Sequence, residues 1–138
     1  MKVAIRYFTK SKKGNTFKLA TVVSEALELE ALTVDKDLEE ETDILFLVNA
    51  MYAFNIDKEV KNFLERNASK IKCIVNVNSA ASGASTLKSV KKVATKLNIP
   101  VSEKEYHTVA SWININKGRP NEDDLNRLKE FVKGVVEQ

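Results

Sequence analysis

Val3-Ala4-Ile5-Arg6-Tyr7-Phe8 is an apolar run that passes directly into the polar stretch Thr9-Lys10-Ser11-Lys12-Lys13-Gly14-Asn15-Thr16. An amphipathic segment begins at Phe17, so this order predicts a strand, a turn and a helix. The first turn of a helix leaves backbone N–H groups unpaired at the positive end of the helix dipole. Hydroxyls, lysines and a glycine at such a turn favour an oxyanion. The stretch is therefore predicted to bind a phosphate group.

A simpler interpretation of the same stretch is a polar turn that only caps the helix, with Asn15 or Thr16 as the cap. The nucleoside-triphosphate loop is excluded, because that motif needs a lysine directly after its final glycine and Asn15 follows Gly14 here. The dinucleotide-binding fingerprint is excluded as well, because its second and third glycines are missing.

Strand-like and helix-like patterns alternate along the chain. Strands are predicted at residues 3–8, 31–34, 44–48, 71–77 and 106–109. The third strand is almost continuously apolar, as expected of a parallel strand buried on both faces. Four helices are predicted from apolar residues at helical spacing, with Asn121 capping the last one. Their apolar faces are Phe17, Ala20, Val23 and Leu27; Val60, Phe63 and Leu64; Leu87, Val90, Val93, Ala94 and Leu97; and Leu125, Leu128, Phe131, Val132 and Val135.

This alternation predicts a single α/β domain over residues 1–138. The expected architecture is a doubly wound, five-stranded parallel sheet in the order 2-1-3-4-5 with helices on both faces. The acidic residues 35–43 are expected to form a loop or short turn with a solvated face. A ligand of such a sheet lies beyond the carboxyl ends of the strands, next to the first strand, where the winding direction reverses.

Two further loops should meet the first one at this edge. Residues 49–55 read Asn49-Ala50-Met51-Tyr52-Ala53-Phe54-Asn55, and their aromatic rings suit stacking on a planar heterocycle, although some of them could instead pack under the next helix. Residues 78–85 read Asn78-Ser79-Ala80-Ala81-Ser82-Gly83-Ala84-Ser85, and their small side chains allow a close backbone approach to a ligand. The alternative for this third loop is a plain capped turn.

Composition excludes several classes of protein. The 22 basic and 19 acidic residues give a net charge of +3, which is too balanced to indicate a nucleic-acid binder. No apolar run approaches the roughly 20 residues that span a bilayer, so no membrane segment is expected. A single cysteine, Cys73, fits a reducing cytoplasm, and a single histidine, His107, excludes Cys/His zinc sites.

Three residues have competing interpretations. Cys73 is predicted to be buried and inert in the middle of the fourth strand. His107 is predicted to be a strand residue with one hydrogen-bonded ring nitrogen. Trp112 follows the fifth strand, at the same edge as the three loops. Three interpretations of its side chain are open: it lies over the ligand, it packs on the last helix, or it faces a partner.

The sequence resembles the flavodoxin family at several of these positions. Tyr7-Phe8-Thr9 with Gly14-Asn15-Thr16 is similar to the family's phosphate loop. Residues 43–47, which run into Ala50-Met51-Tyr52-Ala53, are similar to its third strand and flavin-facing loop. Residues 117–125 resemble the entry to the last helix in many small bacterial flavodoxin-like proteins.

The resemblance implies FMN as a non-covalent cofactor and the transfer of electrons between a reductase and an electron acceptor, with no catalytic residue and no metal. Lys12 and Lys13 would favour an acidic patch on a partner. The predicted cofactor-binding residues are Thr9, Lys10, Ser11, Lys12, Lys13, Gly14, Asn15 and Thr16 around the phosphate; Ala50, Met51, Tyr52, Ala53, Asn78, Ser79, Ala80, Ala81, Ser82 and Gly83 around the isoalloxazine ring; and Trp112 from the loop after the fifth strand.

Two other functions are compatible with the same loops. The first is an FMN-dependent reductase that takes hydride from NAD(P)H and passes it to a quinone-type acceptor. The second is a flavin-free interaction module on the same fold, because a fold does not fix a function.

Overall fold

A computed structural model describes residues 1–10, 14–52, 55–111 and 116–137. Some of the residues with predicted roles lie outside these ranges. They are Ser11, Lys12, Lys13, Ala53, Phe54 and Trp112.

Strands and helices alternate in the described ranges and form one parallel sheet in the order β2-β1-β3-β4-β5. The predicted α/β architecture and strand order are therefore confirmed. None of the described helices is both long and apolar enough to cross a membrane. The elements are β1 (Val3–Tyr7), α1 (Asn15–Leu27), β2 (Ala31–Thr33), β3 (Ile44–Ala50), α2 (Lys58–Asn67), a 3-10 turn (Ala68–Lys70), β4 (Ile74–Ala80), α3 (Leu87–Lys96), β5 (Tyr106–Val109) and α4 (Glu122–Val136).

The central strand β3 separates two apolar clusters. Leu45, Phe46, Leu47 and Val48 are all 0% exposed, which confirms a strand buried on both faces. Successive side chains of a strand point to opposite faces. Leu45 and Leu47 accordingly pack in the cluster that includes α2 and α3, whereas Phe46 and Val48 pack in the cluster that includes α1 and α4.

The connection between β2 and β3 is a loop, as its acidic and weakly periodic sequence predicts. Arg6 of β1 is only 6% exposed, and its guanidinium holds this loop in place. Its Nε donates to the carbonyl of Lys36 at 2.8 Å and its Nη2 to the carbonyl of Asp37 at 3.1 Å. On the other side of the loop, the backbone N–H of Leu38 donates to Oδ1 of Asn67 at 2.9 Å. The loop therefore lies against the sheet without a helix.

Several predicted strand boundaries are wrong. β1 and β2 each end one residue before the predicted position, at Tyr7 and Thr33, and the start of β4 differs more. β4 begins at Ile74, because residues 68–70 form a 3-10 turn and Ile71 makes only an isolated bridge with Thr42. Cys73 consequently precedes the strand and is half-buried, which corrects its predicted place in mid-strand. Burial raises the pKa of its thiol.

β3 and β4 also extend further than predicted. They end at Ala50 and Ala80, and their register pairs Asn49 with Asn78 and Ala50 with Ser79. The first residues of the predicted second and third loops are therefore strand residues. The physical reason is that the side chains of Asn49 and Asn78 find buried partners in the sheet and in the connection to α3, so polarity does not end these strands.

Candidate functional site

Helix α1 begins at the carboxyl edge of the sheet, beyond β1, which lies between β2 and β3. Its N-cap is Gly14, with an extended backbone of φ −80° and ψ −171°. The interpretation that Asn15 or Thr16 caps the helix is therefore wrong, because both residues lie inside it. Since glycine has no side chain, the capping residue offers no acceptor to the N–H groups of the first turn.

Thr16 places a hydroxyl in this first turn. The residue is 3% exposed, and its hydroxyl makes no hydrogen bond with any other residue of the described ranges. No fully buried side-chain nitrogen or oxygen in those ranges lacks a partner, so this hydroxyl keeps some access to solvent. The start of α1 therefore carries a hydroxyl that can hydrogen-bond a ligand.

The side chain of Asn15 ties the start of α1 to the end of β5. Its Nδ2 donates to the carbonyl of Ser111 at 3.0 Å and lies 3.3 Å from the Ser111 hydroxyl. The backbone N–H of Ser111 in turn donates to the carbonyl of Arg119 at 2.9 Å. The first predicted loop therefore meets the connection that follows the fifth strand.

Tyr52 joins the first and second predicted loops. Its hydroxyl accepts a long hydrogen bond of 3.4 Å from the backbone N–H of Lys10, and the Lys10 ammonium lies 4.4 Å from the centroid of its ring. That ammonium also lies 3.7 Å from a carboxylate oxygen of Asp57, the N-cap of α2. Burial raises the pKa of the Tyr52 phenol. The half-buried ring is thus held at the edge where the sequence places it.

A buried polar network lies beneath the second and third predicted loops. Asn49, Asn76, Asn78 and Thr86 are each 1% exposed or less. Nδ2 of Asn49 donates to Oδ1 of Asn76 at 2.8 Å, and the Thr86 hydroxyl donates to Oδ1 of Asn49 at 2.6 Å. Nδ2 of Asn76 donates to the same hydroxyl at 3.1 Å. The network therefore fixes the carboxyl ends of β3 and β4 relative to the start of α3.

The sequence-based site omitted Asn76 and Thr86. A signal for them exists, because asparagines at positions 76 and 78 of an apolar strand point to the same face and need buried partners. Asn78 is used in the same way: its Nδ2 donates to the carbonyl of Ala84 at 3.0 Å, and its Oδ1 accepts from the backbone N–H of Thr86 at 3.0 Å.

The predicted third loop begins only after Ala80. Ser79 and Ala80 are strand residues, 2% and 6% exposed, whereas Ala81 and Ser82 are exposed. Gly83 has a φ of +78°, a backbone conformation that residues other than glycine rarely adopt. An added Cβ would lie 3.1 Å from Cγ2 of Val109. The turn that presents Ala81 and Ser82 therefore requires glycine at position 83.

Two further contacts join the third predicted loop to its neighbours. The backbone N–H of Met51 donates to the carbonyl of Ser79 at 3.2 Å. Nδ1 of His107 in β5 lies 2.8 Å from the carbonyl of Gly83, which confirms a strand histidine with one hydrogen-bonded nitrogen. The described parts of the three predicted loops therefore meet at one edge of the sheet.

Comparison with known proteins identifies this architecture. No family model matches the chain. A solved flavodoxin from the domain Archaea is 12% identical, covers 99% of this chain and 97% of its own, and has a TM-score of 0.75. The chain has the flavodoxin fold. The flavodoxin of Fusobacterium nucleatum, solved bound to flavin mononucleotide, is 14% identical with a TM-score of 0.67 and covers 99% of this chain and 98% of its own.

One sequence relative also matches the flavodoxin-like chain over its whole length. It is an uncharacterised protein of Methanocaldococcus jannaschii, 29% identical over 151 residues, and the match covers 99% of each chain. The resemblance noted from the sequence is therefore confirmed in the fold, and it extends to archaeal proteins as well as bacterial ones.

Proposed function

We propose that this protein binds FMN at the carboxyl edge of its sheet and carries electrons between partner proteins, with residues 1–138 acting as one flavodoxin-like domain. The observation that carries the proposal is the start of α1, where a glycine N-cap and the Thr16 hydroxyl, which has no hydrogen-bond partner in the described ranges, lie at the reversal of winding. Unpaired N–H groups and a hydroxyl at a helix N-terminus are donors that fit a phosphate monoester.

The proposed phosphate site combines this helix start with the rest of the polar stretch. Donors from backbone and hydroxyls would orient the phosphate, and lysines would neutralise its charge. Gly14 lies in extended backbone, so its part is close approach and not an unusual conformation. The residues proposed to form this site are Thr9, Lys10, Ser11, Lys12, Lys13, Gly14, Asn15 and Thr16.

The proposed ring site lies between the ends of β3 and β4. Tyr52 offers an aromatic face, and the exposed turn at Ala81 and Ser82 offers backbone groups close to a planar ligand. Asn78, Ser79 and Ala80 are buried, so they would support this turn from below. Ala50, Met51, Ala53, Gly83 and Trp112 complete the proposed set.

When bound, FMN supplies the redox chemistry, and the protein supplies binding, orientation and electrostatics. The donors at the start of α1 would hold the phosphate. The buried asparagine network would keep the ring-facing backbone in one position, and Tyr52 would exclude water from one side of the ring. A cytoplasmic reductase and a cytoplasmic electron acceptor are the partners that this function implies.

A fluorescence titration of the apoprotein tests this function. FMN fluorescence should change saturably on binding to the wild-type protein. Thr16→Val should weaken FMN binding about tenfold, the effect of one lost hydrogen bond to a charged group, and should leave riboflavin binding unchanged.

Thr21→Val is the matched control for this titration. Thr21 lies one and a half turns further along α1, and its hydroxyl donates to the carbonyl of Phe17 at 2.8 Å. This variant should bind FMN like the wild-type protein. A wild-type apoprotein that gives no saturable signal with FMN would overturn the proposed function.

A further inference from the structure

Helix α3 presents a row of positive charge that forms no ion pair within the described ranges. Its ten residues, Leu87–Lys96, contain four lysines and no acidic residue. Lys88, Lys92 and Lys96 are spaced by four residues, so they lie on one face of the helix, and all three are exposed. We call these three residues the α3 lysine row.

The α3 lysine row is unfavourable for the helix itself. Like charges four residues apart repel each other, and Lys88 lies in the first turn, where the helix dipole is already positive. Within the described ranges none of the three lysines forms an ion pair, whereas Lys91 of the same helix pairs with Glu103. The α3 lysine row therefore does not stabilise the helix. Binding to an acidic surface on another molecule would explain why the three lysines are there.

The position of the row relates it to the proposed ring site. α3 follows the turn at Ala81 and Ser82, so Lys88 lies at the carboxyl edge of the sheet. The row then runs roughly 12 Å away from that edge, from the rise of an α-helix. A protein docked on the row would overlap the edge where the flavin is proposed to bind.

Charge is distributed unequally across the sheet. Residues 28–43, which include the edge strand β2 and the loop after it, contain eight acidic residues and one basic residue. α3, which connects β4 to β5 at the other edge, contains only basic ones. Such a distribution orients a charged partner during its approach.

We propose that the α3 lysine row is the docking surface for an acidic patch on a redox partner protein. This inference rests on the proposed electron-transfer function. A protein partner fits better than a nucleic acid, because three lysines on one helix are short for a duplex backbone and the chain carries a net charge of only +3.

The test uses an acidic plant-type [2Fe–2S] ferredoxin as the probe and the isotope-labelled full chain, followed by NMR titration at low salt. Amide shifts in the wild-type protein should be largest in α3 and in the turn that precedes it. The K88Q/K92Q/K96Q variant should bind the ferredoxin about tenfold more weakly, because each exposed charge pair contributes modestly. Its melting temperature should equal or exceed that of the wild-type protein, which separates lost binding from lost folding.

K61Q/K129Q/K133Q is the matched control. It removes the same three charges from exposed positions on α2 and α4, and it should weaken binding less than threefold. Equal weakening by both triple variants, or the largest shifts outside α3, would overturn the docking surface. The NMR titration is run both with and without FMN. Failure of the docking surface is therefore distinguished from failure of FMN binding, which the flavin titration above measures separately.

Two competing occupants are checked with the same variants. A wild-type protein that dimerises at low salt on size-exclusion chromatography, and a row variant that does not, would assign the row to a second copy of this chain. Tighter binding of a short DNA duplex than of the ferredoxin would assign it to nucleic acid. Either result would overturn the proposal.

Discussion

Strand β1 contains one charged residue, Arg6, whose neighbours in the strand are Val3, Ala4, Ile5 and Tyr7. Burial lowers its pKa, yet it stays paired with three backbone carbonyls, the third being that of Ile5 at 3.0 Å. Two of those carbonyls belong to the loop between β2 and β3. The guanidinium therefore fixes the backbone of this loop, while Val34 and Leu38 of the same loop supply the apolar side chains that pack on the sheet.

Arg6→Met should lower the free energy of unfolding by about 2–4 kcal/mol, because backbone carbonyls that Arg6 now satisfies would lose their donor. Urea denaturation followed by circular dichroism measures the change. Lys18→Met, at an exposed position of α1, is the control and should shift stability by less than about 0.5 kcal/mol. An Arg6→Met variant as stable as this control would contradict the role given to the guanidinium.

Asp124 makes the stability of the chain depend on pH. It is 2% exposed and accepts hydrogen bonds from Nε and Nη2 of Arg119 at 2.6 and 2.9 Å, while the backbone N–H of Asn121 donates to it at 2.8 Å. The hydrogen bonds from Arg119 lower the pKa of this carboxyl group. Since the folded-state pKa lies below the unfolded value, the stabilisation is present above the unfolded pKa and is lost as pH falls through the folded one.

Asp124→Asn should therefore destabilise the protein by about 2 kcal/mol at pH 7, through loss of the charged pair and half of the capping box. The difference from the wild-type protein should begin to shrink as the pH falls below the unfolded-state pKa of about 4, where the unfolded chain takes up a proton before the folded carboxylate does. Urea denaturation at several pH values measures both effects. Asp123→Asn, exposed in the same helical turn, is the control; a deficit for Asp124→Asn that is equally large at pH 3 would refute the linkage.

At the scale of elements, β4 and α3 are joined by the side chain of Asn78. Two of its hydrogen bonds, to the backbone of Ala84 and Thr86, close the connection that carries the proposed ring-facing turn. Asn78→Ala should cost about 2–3 kcal/mol of stability, because buried backbone groups would lose their partners.

The same substitution should act locally as well. Amide hydrogen exchange in residues 81–86 should accelerate more than exchange in α1, because the connection opens before the rest of the fold. Asn126→Ala, at an exposed position of α4, serves as the control and should leave both quantities unchanged. Uniform acceleration across the chain would argue against this local role.

The elements were predictable where periodicity is strong and mispredicted where tertiary contacts decide. The apolar spacing of α1, α2, α3 and α4 and the apolar run in β3 predicted elements that the structure contains. The capping box at Asn121 was half predicted, because Asn121 was named as the cap and its partner Asp124 was not identified. The extension of β4 from Asn78 to Ala80 was missed, because the Asn78 side chain is satisfied by the backbone of Ala84 and Thr86, which a single sequence does not identify as its partners.

At the scale of the whole molecule, ligand binding should raise the melting temperature. A ligand present at 100 times its dissociation constant contributes about 2.7 kcal/mol of stability. FMN should stabilise more than riboflavin, and riboflavin more than inorganic phosphate, because FMN would contact all three loops. Differential scanning fluorimetry at matched concentrations gives this order. Equal stabilisation by FMN and phosphate would instead support the flavin-free interaction module.

The strand order and the edge at which the loops meet followed from the alternation of elements, because right-handed crossovers leave few topologies for five parallel strands. The surface charge pattern did not follow in the same way. The three lysines of the α3 lysine row are visible in the sequence, but that none of them forms an ion pair within the described ranges is a property of the folded surface. Several functions share this arrangement, because a fold does not fix a function.

The alternation of side chains along β3 has a consequence for protein engineering. Leu45 and Leu47 pack against one layer of helices, and Phe46 and Val48 pack against the other. The two layers therefore contact the same strand through different side chains. Residues of the α2–α3 layer should then be open to redesign as a group while the layer containing α1, with its helix start at the proposed ligand edge, keeps its original packing. The chain is in this sense a scaffold with two separate apolar cores, and substitutions in one core should leave the packing of the other unchanged.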